Sequence, residues 1–295
     1  MKPATRLQVW LLAIRPATLS AAVAPVLVGS ALAWRDGGGH LGAALAALVA
    51  AVLIQIGTNL VNDVADCERG ADDAARQGPL RVTAGGLLTA GEVKSAAALA
   101  FSAATVIGVW LVARSGWPIL LLGAGAIAAG VAYTAGPWPL AYHGFGDPFV
   151  FAFFGLAAVA GTYYVQSGGS ALAVWLAAVP LGALATAILV VNNVRDCDGD
   201  RRAGKRTLAV RLGARAGRLE YLALLGLAYA VPPALCAMGA ASAWALLPWL
   251  SLPWAVRLGW QLATCGSAPG FNAALVNTAR LHLAFGVLFA LGLLR

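Results

Sequence analysis

Most of the acid in this sequence is gathered in two short stretches. Asp63, Asp66, Glu68, Asp72 and Asp73 fall within 11 residues and Asp196, Asp198 and Asp200 within five, so eight of the 12 acidic residues lie in two clusters. If the segment leading into the first cluster is helical to about Cys67, Asn62 and Asp66 stand four apart and Asp63 and Asp66 three apart, on one face. Asp196 and Asp200 repeat the four-residue spacing. Paired carboxylates at helical spacing suit a hard, oxygen-seeking cation such as Mg²⁺, which completes its shell with waters and substrate phosphates. Arg76 and Arg81 follow the first cluster, and Arg201, Arg202, Lys205 and Arg206 follow the second. Metal plus cationic clamps are what a departing diphosphate requires, because charge develops on its oxygens as the bond breaks. A plainer reading, in which the acids balance nearby arginines at solvated helix ends, fits Glu68, Asp73 and Asp198. It does not fit two separate Asn-plus-Asp sets at the ends of apolar segments.

Those sets must be positioned by elements that cross a membrane. The chain has 295 residues, 60% of them apolar and 11% charged, against roughly 25% charged in an average globular protein. This composition excludes a water-soluble fold, a disordered tail protein and a disulfide-stapled secreted domain. Apolar runs near residues 17–34, 41–62, 95–113, 117–134, 148–166, 171–193, 219–238, 241–262 and 272–293 predict nine spans in one transmembrane domain over 1–295. Of the 20 Lys and Arg residues, 15 fall in the N-terminus and the loops after spans two, four, six and eight, whereas the other face holds Arg35, Arg114 and Arg295. The positive-inside rule then predicts a cytoplasmic N-terminus, with both acidic clusters facing the cytoplasm. Carboxylates at such depth are costly and mark functional sites by default.

The net charge of +8 is thus mainly a topology signal, and no nucleic-acid partner is expected. Residues 1–16, with Lys2, Arg6 and Arg15 around Val9 to Ile14, read as a short helix in the membrane interface. Ala31-Leu32-Ala33 has the look of a signal-peptide cleavage site, but Arg15 and Pro16 fit an uncleaved first span. The histidines His40, His143 and His282 are far apart, and no Cys-x-x-Cys spacing occurs among the four cysteines, so neither a zinc or haem site nor a disulfide is expected. Asn62-Asp63-Val64-x-Asp66-Cys67 parallels Asn192-Asn193-Val194-x-Asp196-Cys197 at an offset of 130 residues. An internal repeat of two four-span bundles plus one helix would explain the parallel and bring the clusters together.

Longer motifs carry a resemblance. Asn62-Asp63-x-x-Asp66-x-x-x-Gly70-x-Asp72 is followed by Gly78-Pro79-Leu80-Arg81-Val82-Thr83-x-Gly85. The second set is Asn192-Asn193-x-Arg195-Asp196-x-x-x-Asp200, running on to Gly204-Lys205-Arg206-Thr207-Leu208-Ala209-Val210-Arg211-Leu212-Gly213. Together they resemble the two signature loops of the UbiA-type intramembrane aromatic prenyltransferases. Arg15-Pro16-x-Thr18-Leu19, Tyr133-Thr134-x-Gly136-Pro137 and Gly144-x-Gly146-Asp147 add a resemblance to the menaquinone branch, the 1,4-dihydroxy-2-naphthoate polyprenyltransferases. One departure is that Gly70 stands where the wider superfamily has its last Asp, with Asp72 two residues later.

The resemblance implies an all-α integral membrane protein, nine helices around a central cavity, in the bacterial cytoplasmic (inner) membrane. Its substrates would be a polyprenyl diphosphate and an aromatic acceptor, with membrane lipid as its surroundings. Asn62, Asp66, Asp72, Asp196 and Asp200 would hold Mg²⁺, and Arg76, Arg81, Lys205 and Arg206 would take the diphosphate. Asn192 and Tyr133 would contact substrate, and Asp66 and Asp196 would be catalytic. The allylic carbon–oxygen bond would ionise, an electron-rich naphthoate ring would attack, and the ring carboxylate would leave as CO₂. Asp147 has two open readings, a base for a ring hydroxyl or a helix cap before Pro148. Another acceptor, such as 4-hydroxybenzoate, homogentisate, haem or chlorophyllide, and a secondary transporter are the competing readings. The transporter would distribute charges along a pathway rather than on one face.

Overall fold

The computed structural model describes residues 5–71 and 78–295, and every regular element among them is helical. Helix α1 (Arg6–Ile14) starts at Thr5, whose hydroxyl accepts from the Gln8 N–H while the Gln8 side chain accepts from the Thr5 N–H. Two donors that a helix start leaves orphaned are thereby satisfied. It stops at Arg15, left-handed at φ 53°, because the residue before a proline is driven out of the helical region. Val9 and Ala13 pack on Leu60 and Val64, whereas Leu7, Leu11 and Leu12 stay exposed, the pattern expected of a helix lying along a membrane surface.

The remaining helices are α2 (Ser20–Arg35), α3 (Leu41–Glu68), α4 (Ala90–Ser115), α5 (Trp117–Ala132), α6 (Gly146–Phe151), α7 (Ala158–Ser167), α8 (Leu172–Arg202), α9 (Leu208–Leu212), α10 (Ala214–Ala237), α11 (Leu252–Thr264) and α12 (Ala268–Leu293). Seven helical units among the described residues are long and apolar enough to cross a membrane: Pro16–Arg35, Leu41–Glu68, Ala90–Ser115, Gly146–Ser167, Leu172–Arg202, Ala214–Ala237 and Ala268–Leu293. The chain is an integral membrane protein. Two of the nine expected runs differ from a full-length helix. The run at 117–134 gives the 16-residue α5, and the run at 241–262 is divided into a 3₁₀ segment, Ala243–Ser251, followed by α11. Pro248 and Pro253 lie at that division, and a proline lacks the N–H that a continuous helix would need there.

Helix α8 runs through the centre, with 78% of its apolar window buried, and Leu181, Leu184, Val190 and Val191 join α2, α10 and α12 in the main core. Small residues let its neighbours close in. A Cβ at Gly155 would lie 2.5 Å from the Gly182 Cα, so the π-helical turn Ala152–Ala157 seats its backbone directly on α8. That contact brings the start of α6, and Asp147 with it, against the far end of α8. A second, smaller cluster joins α3 to α4 and to the segment after α3. There Asp63, buried at 1% exposure, accepts the backbone N–H groups of Val82 (3.3 Å) and Thr83 (2.9 Å). Val82 and Leu88 bury beside Leu60 and Val64, which folds Arg81 back over the end of α3.

Candidate active site

The two acidic clusters end α3 and α8 and face one cavity of about 410 Å³. Asn62 and Asp66 come to it from α3, and Asn192, Asp196 and Asp200 from α8. Arg81, Lys205, Tyr133 and Asp147 complete its polar wall. Thr18, Asn62, Tyr133, Ile188 and Leu189 also line a second, apolar cleft of about 720 Å³, so the two spaces adjoin. The cleft runs among α2, α3, α4, α5 and α7, walled by residues such as Ala50, Gly108, Ile119, Gly123 and Phe153.

Asp66 is the centre of the polar wall, with its side chain 4% exposed. Its Oδ1 lies 3.0 Å from Lys205 Nζ and accepts from the Tyr142 hydroxyl at 3.2 Å, and its Oδ2 lies 3.7 Å from Arg81. The same ammonium stands 3.7 Å from Asp200 Oδ1, so one cation bridges carboxylates from both clusters. The rings and cations are layered here: Lys205 Nζ is 5.0 Å and Arg69 Cζ 5.1 Å from the centroid of the Tyr142 ring. Burial and the Asp66 carboxylate hold the Tyr142 phenol above its usual range, which keeps it a donor to Asp66.

On α8, the side chain of Arg195 is 1% exposed and grips Asp196 with two bonds, Nε to Oδ1 at 2.7 Å and Nη2 to Oδ2 at 2.6 Å. The same guanidinium donates to Asn192 Oδ1 (2.7 Å) and to Asn272 Oδ1 on α12 (2.8 Å). Asn62 Oδ1 accepts from the Thr134 hydroxyl at 2.6 Å, and Asp147, 5% exposed, accepts from Asn193 Nδ2 at 3.4 Å.

Of the residues singled out from sequence, Asn62, Asp66, Asp196, Asp200, Asn192, Tyr133, Arg81, Lys205 and Asp147 all line the cavity. Asp72 and Arg76 lie outside the described residues. Arg206 is exposed and off the cavity wall, and its backbone N–H donates to the Tyr142 carbonyl at 3.0 Å. Among the described residues no three His, Cys, Asp or Glu side chains are drawn together as a metal-ligand set. Lys205 pairs instead with Asp66 and Asp200, and Arg195 with Asp196. The donors on the wall are nonetheless oxygens, with neither Cys nor His among the lining residues, which is the chemistry Mg²⁺ takes. Sequence reading missed Tyr142, Arg69, Thr134 and Asn272. Only Thr134, inside the Tyr133-Thr134 motif, carried a signal.

Residues 22–292 match the UbiA prenyltransferase family. The chain belongs to that family. It is 36% identical over 304 residues to the 1,4-dihydroxy-2-naphthoate octaprenyltransferase of Haemophilus influenzae, covering 98% of this chain and 96% of that one. It is 41% identical over 227 residues to the enzyme of the same name from Escherichia coli K12, covering 75% and 74%. A UbiA homologue from Archaeoglobus fulgidus, solved with DMAPP and Mg²⁺, superposes with a TM-score of 0.64 at 16% identity over 95% of this chain and 98% of that one, a likeness of fold. In this UbiA prenyltransferase the acidic ends of α3 and α8 line one polar cavity, which adjoins the apolar cleft.

Proposed function

We propose that the chain transfers a polyprenyl group from polyprenyl diphosphate to 1,4-dihydroxy-2-naphthoate, with loss of CO₂, giving a demethylmenaquinol, the reduced form of a demethylmenaquinone. The observation that carries this is the junction of a charged cavity with a long apolar cleft, which share Asn62 and Tyr133. A polyprenyl diphosphate has the same division, a highly charged head on a long apolar tail. The names of the curated relatives support the naphthoate acceptor.

In the proposed mechanism the tail lies in the cleft and the diphosphate in the cavity, where Arg81 and Lys205 neutralise its oxygens. Asn62, Asp66, Asp196 and Asp200 would hold Mg²⁺, and Asp72 and Arg76 are proposed to join from outside the described residues. The bound metal supplies Lewis-acid stabilisation of the charge that develops on the leaving diphosphate. Arg206 is proposed to reach the diphosphate only after moving from its exposed position. The apolar wall keeps water from the allylic cation. Asp147, buried beside Asn193, takes the proton of a ring hydroxyl, so that the ring attacks the cation with its oxygen already negative. Asn192 and Tyr133 orient the acceptor. As carbon–carbon bond formation disrupts the ring's aromaticity, loss of the carboxylate as CO₂ restores it.

The same reading gives nine membrane crossings, with α5 and the 3₁₀–α11 unit as the two short ones. The chain 1–295 forms one domain that combines two four-helix repeats with a ninth helix. The N-terminus and the cavity face the cytoplasm, and the membrane is the bacterial inner membrane. Membranes containing the protein, given dihydroxynaphthoate, a polyprenyl diphosphate and Mg²⁺, are expected to release CO₂ and form the prenylated naphthoquinol. Prenylation of 4-hydroxybenzoate in its place would overturn the acceptor assignment.

A further inference from the structure

We infer that Lys205 is an internal counter-cation that stands between Asp66 and Asp200 in the free protein and yields that place to the divalent metal when the diphosphate binds. The inference rests on the metal and diphosphate reading above. Its basis is the bridge itself: Nζ is 3.0 Å from Asp66 Oδ1 and 3.7 Å from Asp200 Oδ1, with all three side chains at 12% exposure or less. Two carboxylates so poorly hydrated repel each other unless a cation lies between them. A divalent ion bound to the same two carboxylates would come within a few ångströms of the ammonium, so both cations cannot occupy the gap at once.

The backbone around Lys205 is pinned, so the exchange falls to its side chain. The Lys205 N–H donates to the Asp200 carbonyl at 2.8 Å and the Arg206 N–H to the Tyr142 carbonyl at 3.0 Å, so the loop is held on both sides of the side chain. A lysine stem has four carbons that can turn about that fixed point, and its ammonium, a compact point charge, donates to a phosphate oxygen as readily as to a carboxylate. The Tyr142 ring, 5.0 Å from Nζ, offers an electron-rich surface along the way. Diphosphate supplies the anion that draws the lysine off. Metal alone supplies only a competitor, so the free protein should take up metal weakly until diphosphate is present.

The test measures free Mn²⁺ by electron paramagnetic resonance over the purified full chain in lipid nanodiscs, with and without inorganic pyrophosphate. Lys205→Met is expected to bind Mn²⁺ alone at least tenfold tighter than the natural protein, because the competing cation is gone. Pyrophosphate is expected to tighten Mn²⁺ binding by the natural protein at least tenfold more than it does for Lys205→Met. Lys205→Arg, which keeps the charge, should stay weak for Mn²⁺ alone. Lys205→Gln, which keeps a polar end in the buried gap, replaces the Met variant if that one does not fold, with the same expected result. Equal or weaker binding of Mn²⁺ alone by Lys205→Met and Lys205→Gln would overturn the exchange while leaving the metal reading intact. Failure of the natural protein to bind Mn²⁺ even with pyrophosphate would overturn both.

Discussion

The Thr134 hydroxyl donates to Asn62 Oδ1 across 2.6 Å, which ties the segment after α5 to the last turns of α3. Both residues line the charged cavity, and Thr134 is buried at 2% exposure. Removing the hydroxyl with Thr134→Val keeps the shape and leaves the amide oxygen of Asn62 without this donor. Given about 1 kcal/mol for such a bond, kcat/KM is expected to fall roughly fivefold to tenfold, with expression and membrane insertion unchanged. Steady-state rates over a range of polyprenyl diphosphate concentrations will check this.

Asp63 and Asp66 are three residues apart and have different duties. Asp66→Asn keeps volume but removes the charge that Lys205 and Arg81 approach, and prenyl transfer is expected to drop by about 10² to 10³-fold, the range for losing one electrostatic group at a reacting centre. Asp63→Ala instead strands the N–H groups of Val82 and Thr83. It should lower thermal stability by about 1–3 kcal/mol, read as an earlier unfolding transition in detergent, with a smaller loss of rate.

For Asp147 the discriminating variant is Asp147→Asn. A base that removes the ring proton contributes about 10² to 10⁴ in rate, so kcat should fall by at least 10² while the KM for polyprenyl diphosphate stays within about twofold. A rate near that of the natural protein would leave Asp147 as the buried partner of Asn193 in the first turn of α6, whose N-cap is Phe145 and not Asp147.

The cleft predicts a length dependence. Gly108 and Gly123 line it, and a Cβ at either meets no atom within 4 Å. A side chain at these positions starts in open space beside the tail path. Gly123→Phe is expected to cut kcat/KM for an eight-unit polyprenyl diphosphate by tenfold or more and for geranyl diphosphate by less than threefold, measured in parallel on the same membranes.

Chelation should separate chemistry from folding. EDTA is expected to abolish prenyl transfer and Mg²⁺ to restore it, while the unfolding temperature moves by only a few degrees. The reason is that Lys205 and Arg195 already balance Asp66, Asp200 and Asp196 in the absence of metal.

Much of this arrangement was legible in the residues, and the exceptions have physical causes. Asn62, Asp66, Asp196 and Asp200 announce themselves because carboxylates and carboxamides are rare in apolar segments and recur at helical spacing. Lys205 and Arg81 announce themselves as members of the basic runs that follow the two clusters, alongside Arg76, Arg201, Arg202 and Arg206. What local spacing does not carry is partnership across the fold. That Arg195 would take both oxygens of Asp196, or that Tyr142 would reach Asp66 over 76 positions of sequence, depends on how α8 and the segment before α6 pack. Asn272 is the plainest case, a polar residue in the first turns of α12 whose link to Arg195 exists only because that helix lies along α8. The nine apolar runs were readable by composition alone. The short α5 and the division before α11 depend on Pro248, Pro253 and the turn after Ala132, which hydropathy does not weigh.

Helices α3 and α8 have 28 and 31 residues, about 42 and 46 Å at 1.5 Å per residue, against a hydrocarbon layer of about 30 Å. Both outrun the oil, and both carry their acids on the part that does. In the proposed reaction the inorganic product is thereby released where water can carry it off, while the lengthened quinol remains dissolved in lipid. The two halves of a cleaved substrate part into immiscible phases, and the reverse reaction would have to gather them again from opposite sides of an interface.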